Sequence, residues 1–121
     1  MAMALVPLYE AKNYLRVDSS DEDALIGILL SSAIRLCVDV ARVSDEQWEA
    51  IDAITCDEDG NVLETDTDLY TEEELASLRS VFRVSILFAL GYLYEHREEA
   101  DHKSLTLTLR SLLFAVREGV F

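Results

Sequence analysis

An all-α fold, a small bundle of about four helices, is predicted by three features of this chain. Apolar residues recur at helical spacing over most of its length, serine and threonine capping boxes open several of those segments, and strand-type alternation is confined to short stretches. The 121 residues fit one domain, 1–121, and a chain of this size hides roughly two thirds of its unfolded surface on folding. Half of the residues are hydrophobic while the formal net charge is −14, so apolar helix faces must coexist with a strongly negative exterior.

Pro7 suits the first turn of a helix, where its missing N–H would have no partner, and Leu8, Ala11, Tyr14 and Leu15 follow at helical spacing. Val17 to Ser20 breaks the period. Ser20 with Asp23 has capping-box spacing, and the carboxylates beside it favour the positive N-terminus of a second helix. From Ala24 to Val43 nearly every position is apolar except a stripe at Ser31, Arg35, Asp39 and Arg42, so this helix needs cover on several sides. Arg35 and Asp39, four apart, read as a surface ion pair. Ser44 and Gln47 repeat the capping box before Trp48, Ile51 and Ile54, which predicts a short third helix.

Asp57 to Asn61 reads DEDGN, a turn signal between Ile54–Thr55–Cys56 and Val62–Leu63–Glu64, and predicts an acidic loop or β-hairpin insertion over about 55–70, between the third and fourth helices. Thr71 with Glu74 then starts a helix at Glu72, with Tyr70 placed to staple Leu75, and the apolar pattern carries it to about Arg97. Its first half is amphipathic, with Leu75, Leu78, Phe82 and Ile86 inward and Arg79 and Arg83 outward. Its second half, around Val84, Leu87, Phe88, Leu90, Tyr92 and Leu93, is apolar all round, and Gly91 permits close helix approach. After a polar link at 98–103, Leu105, Leu109, Leu112, Leu113 and Val116 recur helically, while Leu105, Leu107 and Leu109 also alternate like a strand; the expected helix begins at about Thr108.

The acidity is concentrated. Asp57 to Glu74 holds nine carboxylates and no Lys or Arg, which repels DNA and anionic membranes and argues against nucleic acid as a direct ligand. A soluble cytoplasmic protein is expected, since the N-terminus lacks a secretory pattern and the apolar run Val84 to Tyr94 is short for a bilayer. Cys37 and Cys56 are too few for a disulfide framework or metal knot and read as small buried thiols. A calcium loop in register from Thr55 places Asp57, Asp59, Gly60 and Val62 at positions three, five, six and eight, but Thr55 stands at position one and Asp66 at twelve, where carboxylate and glutamate belong. His96 and His102 have no third ligand or nucleophile at a recognisable spacing, and there is no phosphate loop, HExxH or nucleophile elbow. The expectation is a chain that is not an enzyme, with no cofactor and no metal.

One pattern is more specific. Glu10–Ala11–Lys12, then Leu15–Arg16–Val17–Asp18, then the acidic Asp21–Glu22–Asp23 ahead of Leu25 and Ile26 resembles the N-terminal signature of the head-tail connector (adaptor, DNA-packaging) proteins of tailed double-stranded DNA bacteriophages. Leu93–Tyr94–Glu95–His96–Arg97 resembles the end of that family's apolar helix, with His96 where Asn is usual. Leu112, Leu113 and Arg117 fit its C-terminal signature, with Ala115 in place of a proline; residues 44–71 lie outside the resemblance.

The resemblance implies a structural protein of the virion head-tail junction, made in the host cytoplasm. It would form a homo-oligomeric ring, with a dodecamer among the compatible subunit numbers, below the portal protein. Such a ring extends the DNA channel, through which DNA passes without specific binding, and docks head-completion or tail proteins, with no membrane involved. On this reading the ring contacts fall on the second and fourth helices, at Arg35, Arg79, Arg83, Leu87, Leu90 and Tyr94. The acidic residues Asp57, Glu58, Asp59, Glu64, Asp66 and Asp68 face the channel, and the C-terminal Leu113, Phe114, Arg117 and Phe121 dock the portal or a neighbouring ring. The Arg79 and Arg83 pair, mildly repulsive within one helix, would be relieved by acidic residues of an adjacent subunit. Two other classes stay open: an acidic helical regulator that mimics DNA and binds a basic partner, and an EF-hand-like calcium binder.

Overall fold

The computed structural model describes residues 2–96 and 103–117. Their elements are β1 (Ala2–Met3), α1 (Leu8–Leu15), α2 (Asp23–Ala41), α3 (Asp45–Asp52), β2 (Ile54–Thr55), α4 (Glu72–Glu95), α5 (Lys103–Leu112) and α6 (Phe114–Arg117). The fold is all-α. Six helices stand among the described residues, against about four expected for the bundle: the short α1 and α3 stand where the sequence placed them, and a turn at Leu113 splits the C-terminal helix in two.

The long helices α2 and α4 form the central pair; α1 and α5 lie against both, α6 against α2 and α5, and α3 against α4. The core between the central pair joins Ile26, Leu30, Ala33, Cys37, Val38 and Ala41 of α2 to Leu75, Leu78, Phe82, Ile86, Ala89 and Leu90 of α4. Small side chains at four-residue intervals, Ala33, Cys37 and Ala41 on one helix and Ser85 and Ala89 on the other, let the backbones approach. Each fully buried leucine, isoleucine or phenylalanine contributes about 1.5–3 kcal/mol. By length and composition alone α2 and α4 are apolar enough to cross a membrane, and in this structure they are partners in one core. Both cysteines are buried and neither is in a disulfide, and burial pushes the Cys37 thiol up to about 12, which makes it a packing group rather than a nucleophile.

Local chemistry sets most helix ends. At Ser44 and Thr71 both halves of the predicted capping boxes form, with Gln47 and Glu74 returning bonds of 2.7 and 2.9 Å to the cap N–H groups. Tyr70, the proposed staple, is half-buried against the core that contains Leu75. Pro7 is the cap of α1, its carbonyl accepting from the N–H groups of Glu10 and Ala11 at 3.1 Å. The Ser20 box does not form. Helix α2 begins at Asp23, its cap Glu22 makes no side-chain capping bond, and the Asp23 carboxylate instead pairs with Lys12 of α1 at 2.7 Å. Helices α1 and α2 both end on an arginine in the left-handed region, Arg16 at φ 60° and Arg42 at φ 59°, where glycine or asparagine would ordinarily advertise the stop.

Two boundaries differ from expectation. Helix α5 starts at Lys103, five residues before Thr108, because Leu105 and Leu109 turn inward while Leu107 is 53% exposed, the helical outcome of an ambiguous pattern. Helix α4 ends at Glu95; Arg97, where its end was expected, lies outside the described residues, as does most of the 98–103 link. The insertion is a loop closed by one antiparallel bridge, Cys56 to Val62, with Leu63 N–H donating to the Thr55 carbonyl at 2.7 Å. Strand β2 spends its other edge on β1, Ala2 opposite Thr55 and Met3 opposite Ile54. The N-terminal strap so formed buries Leu5 and Val6, and the Leu5 N–H donates to Asp52 Oδ1 at 3.0 Å.

Candidate functional site

The two arginines of α4 are committed within their own chain. Arg79 Nε donates to the Ile51 carbonyl at 2.9 Å, and its Nη2 reaches the carbonyls of Ala50 and Ala53 and the Thr65 hydroxyl at 3.0–3.1 Å. It thereby caps the last turn of α3 and ties the acidic insertion to α4. Burial holds its guanidinium below the ordinary arginine pKa, partly offset by Glu72. Arg83 pairs with Glu10 of α1 and donates to the Leu5 carbonyl at 3.1 Å, which fixes the N-terminal strap. Arg83 is exposed, as expected, and Arg79 half-buried; what is corrected is the need for a neighbour's acids, since carbonyl oxygens and Glu10 relieve the repulsion internally. A sequence signal for the Arg79 clamp existed, since α3 has no basic residue in its last turn and no glycine at its end, leaving its carbonyls in need of a donor.

The acidic loop is organised by Asp57. Its Oδ1 accepts the N–H groups of Asp59 and Asn61, both at 2.9 Å, its Oδ2 faces the Asn61 amide, and Gly60 takes φ 86° to close the turn. These bonds account for Asp57 as a turn-forming residue. The Asn61 N–H, first among these donors, holds the Asp57 carboxyl below the usual aspartate value of 3.8. A carboxyl with a depressed folded pKa stabilises its loop above the unfolded value and loses that contribution as pH falls through the lower folded one. The amide signals of Asp59 and Asn61 should therefore shift together with a midpoint below 3.8; a midpoint at or above 3.8 would contradict the Asp57 geometry. Glu58, Asp59, Glu64, Asp66 and Asp68 are all exposed.

Of the other predicted contact residues, Arg35 is exposed and paired with Asp39 at 2.8 Å and Asp45 at 3.7 Å. Leu87 is half-buried. Leu90 is fully buried and belongs to the core, so it is corrected from an interface residue to a folding residue. Tyr94 is half-buried and its hydroxyl donates to Glu22 at 2.5 Å, joining the two motifs that carry the family resemblance. His96 serves its own helix end, its Nδ1 lying 2.9 Å from the Tyr92 carbonyl and its ring stacking on Tyr92. At the C-terminal end Leu113 is fully buried, another correction, while Phe114 is 59% exposed and Arg117 half-buried; Phe121 lies outside the described residues, as does His102.

What the sequence did not single out is where unsheltered apolar surface lies. Ile28 is 65% exposed on α2, Val84 and Phe88 are exposed on α4, and Leu107 and Leu112 on α5. A recess of about 450 Å³ opens between α1 and α4 at Tyr14, Arg16, Phe88, Gly91 and Glu95, and a methyl added at Gly91 would lie 3.1 Å from Tyr14 Cε2, so the glycine makes the close approach possible. A second, shallow apolar groove runs along Val81, Val84 and Leu112 between α4 and α5. The signal was present: Ile28 continues the polar stripe Ser31, Arg35 and Asp39, and Val84 and Phe88 continue the exposed stripe Glu73, Ser77 and Ser80, each on the face that meets water. No protein-family model, curated protein or solved structure matches this chain.

Proposed function

We propose that this chain is a structural subunit of a bacteriophage head-tail connector, a ring of identical copies at the portal vertex that extends the DNA channel and docks the portal and completion or tail proteins. The single observation that carries this reading is the exposure of large apolar side chains on separate elements: Ile28 on α2, Val84 and Phe88 on α4, Leu107 and Phe114 on α5 and α6. A soluble domain leaves single apolar residues at its surface without consequence, but several sides rich in them call for partners. A ring supplies them economically, since each subunit uses two different faces and closure leaves none uncovered. The motif resemblance, from Glu10 through Ile26 and again at Leu93 to Arg97, supports the same reading.

In such a ring the tip of the acidic loop, Glu58 and Asp59 foremost, lines the lumen and repels passing DNA, so the wall conducts without binding. The subunit acts by adhesion and geometry, with no catalytic step and no cofactor. Mass measurement and negative-stain imaging of the purified chain, alone and with portal, test the proposal: a ring coaxial with the portal is expected. A chain that stays monomeric in both samples sinks it. The exposed carboxylates favour one rival, a DNA mimic; recovery of a defined 1:1 complex with a basic nucleic-acid-binding protein, and none with portal, would establish that rival instead.

A further inference from the structure

The charges of this chain are sorted by element. Residues 44–74 carry 13 acidic side chains and no basic one, whereas 103–117 carry Lys103, Arg110 and Arg117 and no acidic one. Two copies with a net charge of −14 each repel at long range, so close contact needs a local region that accepts negative charge. The α5–α6 face is that region. It also bears the exposed Leu107 and Phe114, which with Arg110, Ser111 and Arg117 line a shallow recess. The acidic arm from Val62 to Leu69 has the matching composition: Val62, Leu63 and Leu69 are exposed among the exposed Glu64, Asp66 and Asp68.

From this complementarity we infer that the α5–α6 face of one copy docks on the acidic arm, Val62 to Leu69, of the next. The two patches lie on different sides of α4. The arm is tied to the side of Arg79, which holds Thr65, while Leu112 of α5 meets the side of Ser80 and Val84. A contact between two unlike patches is head-to-tail, the type that propagates and closes into rings. Apolar residues at its centre supply area, and Arg110 against Asp66 and Asp68 sets register and discourages face-to-face or arm-to-arm pairing. The arm thus has a role separate from the loop tip, and this inference rests on the ring reading while naming which faces meet.

Charge exchange tests it, using exposed positions that leave the core intact. Arg110→Glu sets negative against negative, and Asp66→Lys with Asp68→Lys sets positive against positive. In light scattering and native mass spectrometry at low salt, with and without portal, each variant alone should associate at least about tenfold more weakly than the wild type. An equimolar mixture should recover, because each kind of subunit then meets an opposite charge on both sides. Variants that assemble like the wild type, or that fail together when mixed while their melting temperatures are unchanged, overturn the docking of these faces and leave the ring reading standing. A wild type that associates neither alone nor on portal removes both.

Discussion

Phe82→Ala is expected to lower the free energy of unfolding by about 3–5 kcal/mol, the largest loss of any single substitution considered. Phe82 is fully buried at the centre of α4, within the core shared by α2 and α4, and its ring lies 5.2 Å from that of Trp48 on α3 at an interplanar angle of 56°. Truncation removes the burial of the ring, leaves a cavity that rigid helices close only in part, and ends a tilted aromatic contact of the kind worth about 0.5–1.5 kcal/mol. Domains of this size are stable by about 5–15 kcal/mol, so the variant should melt about 10–20 °C lower. Trp48 is the only tryptophan, so its fluorescence reports directly on this contact. A denaturant midpoint shifted by less than the equivalent of about 1 kcal/mol would mean that α3 does not pack on α4 through this pair.

Arg79→Met should cost about 2–3 kcal/mol, nearly as much, although the residue is polar and half-exposed. One guanidinium serves four acceptors, three of them carbonyls at the end of α3 and the fourth the Thr65 hydroxyl of the acidic arm. Methionine preserves the side-chain stem and removes the donors, leaving half-buried carbonyls without that partner. Arg79→Lys should recover only a minor part, because a point ammonium on a flexible stem cannot span acceptors arranged around a planar fork. Hydrogen exchange should localise the damage, with the last turn of α3 and the segment near Thr65 losing protection while α2 and the second half of α4 keep theirs. Equal protection throughout would show that the clamp contributes no more than an ordinary surface contact.

These two residues bear on function through different routes. Phe82 fixes the bundle that presents every surface, whereas Arg79 fixes the acidic arm relative to α4. If the arm is a docking element, Arg79→Met should weaken assembly beyond its effect on global stability, because a loosened arm must be ordered again at each contact.

Much of the fold was legible from local pattern. The capping boxes at Ser44 and Thr71 are interactions over three residues, and the apolar stripe of α4 up to Ile86 is a repeat over one or two turns, so both appear in the sequence without knowledge of distant neighbours. Net charge and its sorting along the chain are likewise set by composition. The misplaced apolar residues share one cause. Around Leu87 and Leu90 the helix is apolar on all sides, so the residue types there give no direction by themselves; packing against α2 buries Leu90, and Val84 and Phe88 are placed outward only by continuing the stripe from Glu73. Leu113 was settled the same way, by the fit of the C-terminal helices against α2 and α4.

By itself, then, the sequence determined an all-helical domain, several of its helix starts and an uneven charge, because those properties act over a few bonds or add up residue by residue. Tertiary structure alone decided that the N-terminal segment straps onto β2, that Arg79 closes α3 and Arg83 holds Glu10 and Leu5, and that Leu90 and Leu113 lie in the core. A long side chain can reach any acceptor that packing brings near it, and which one arrives depends on contacts between residues 26 to 78 positions apart along the chain.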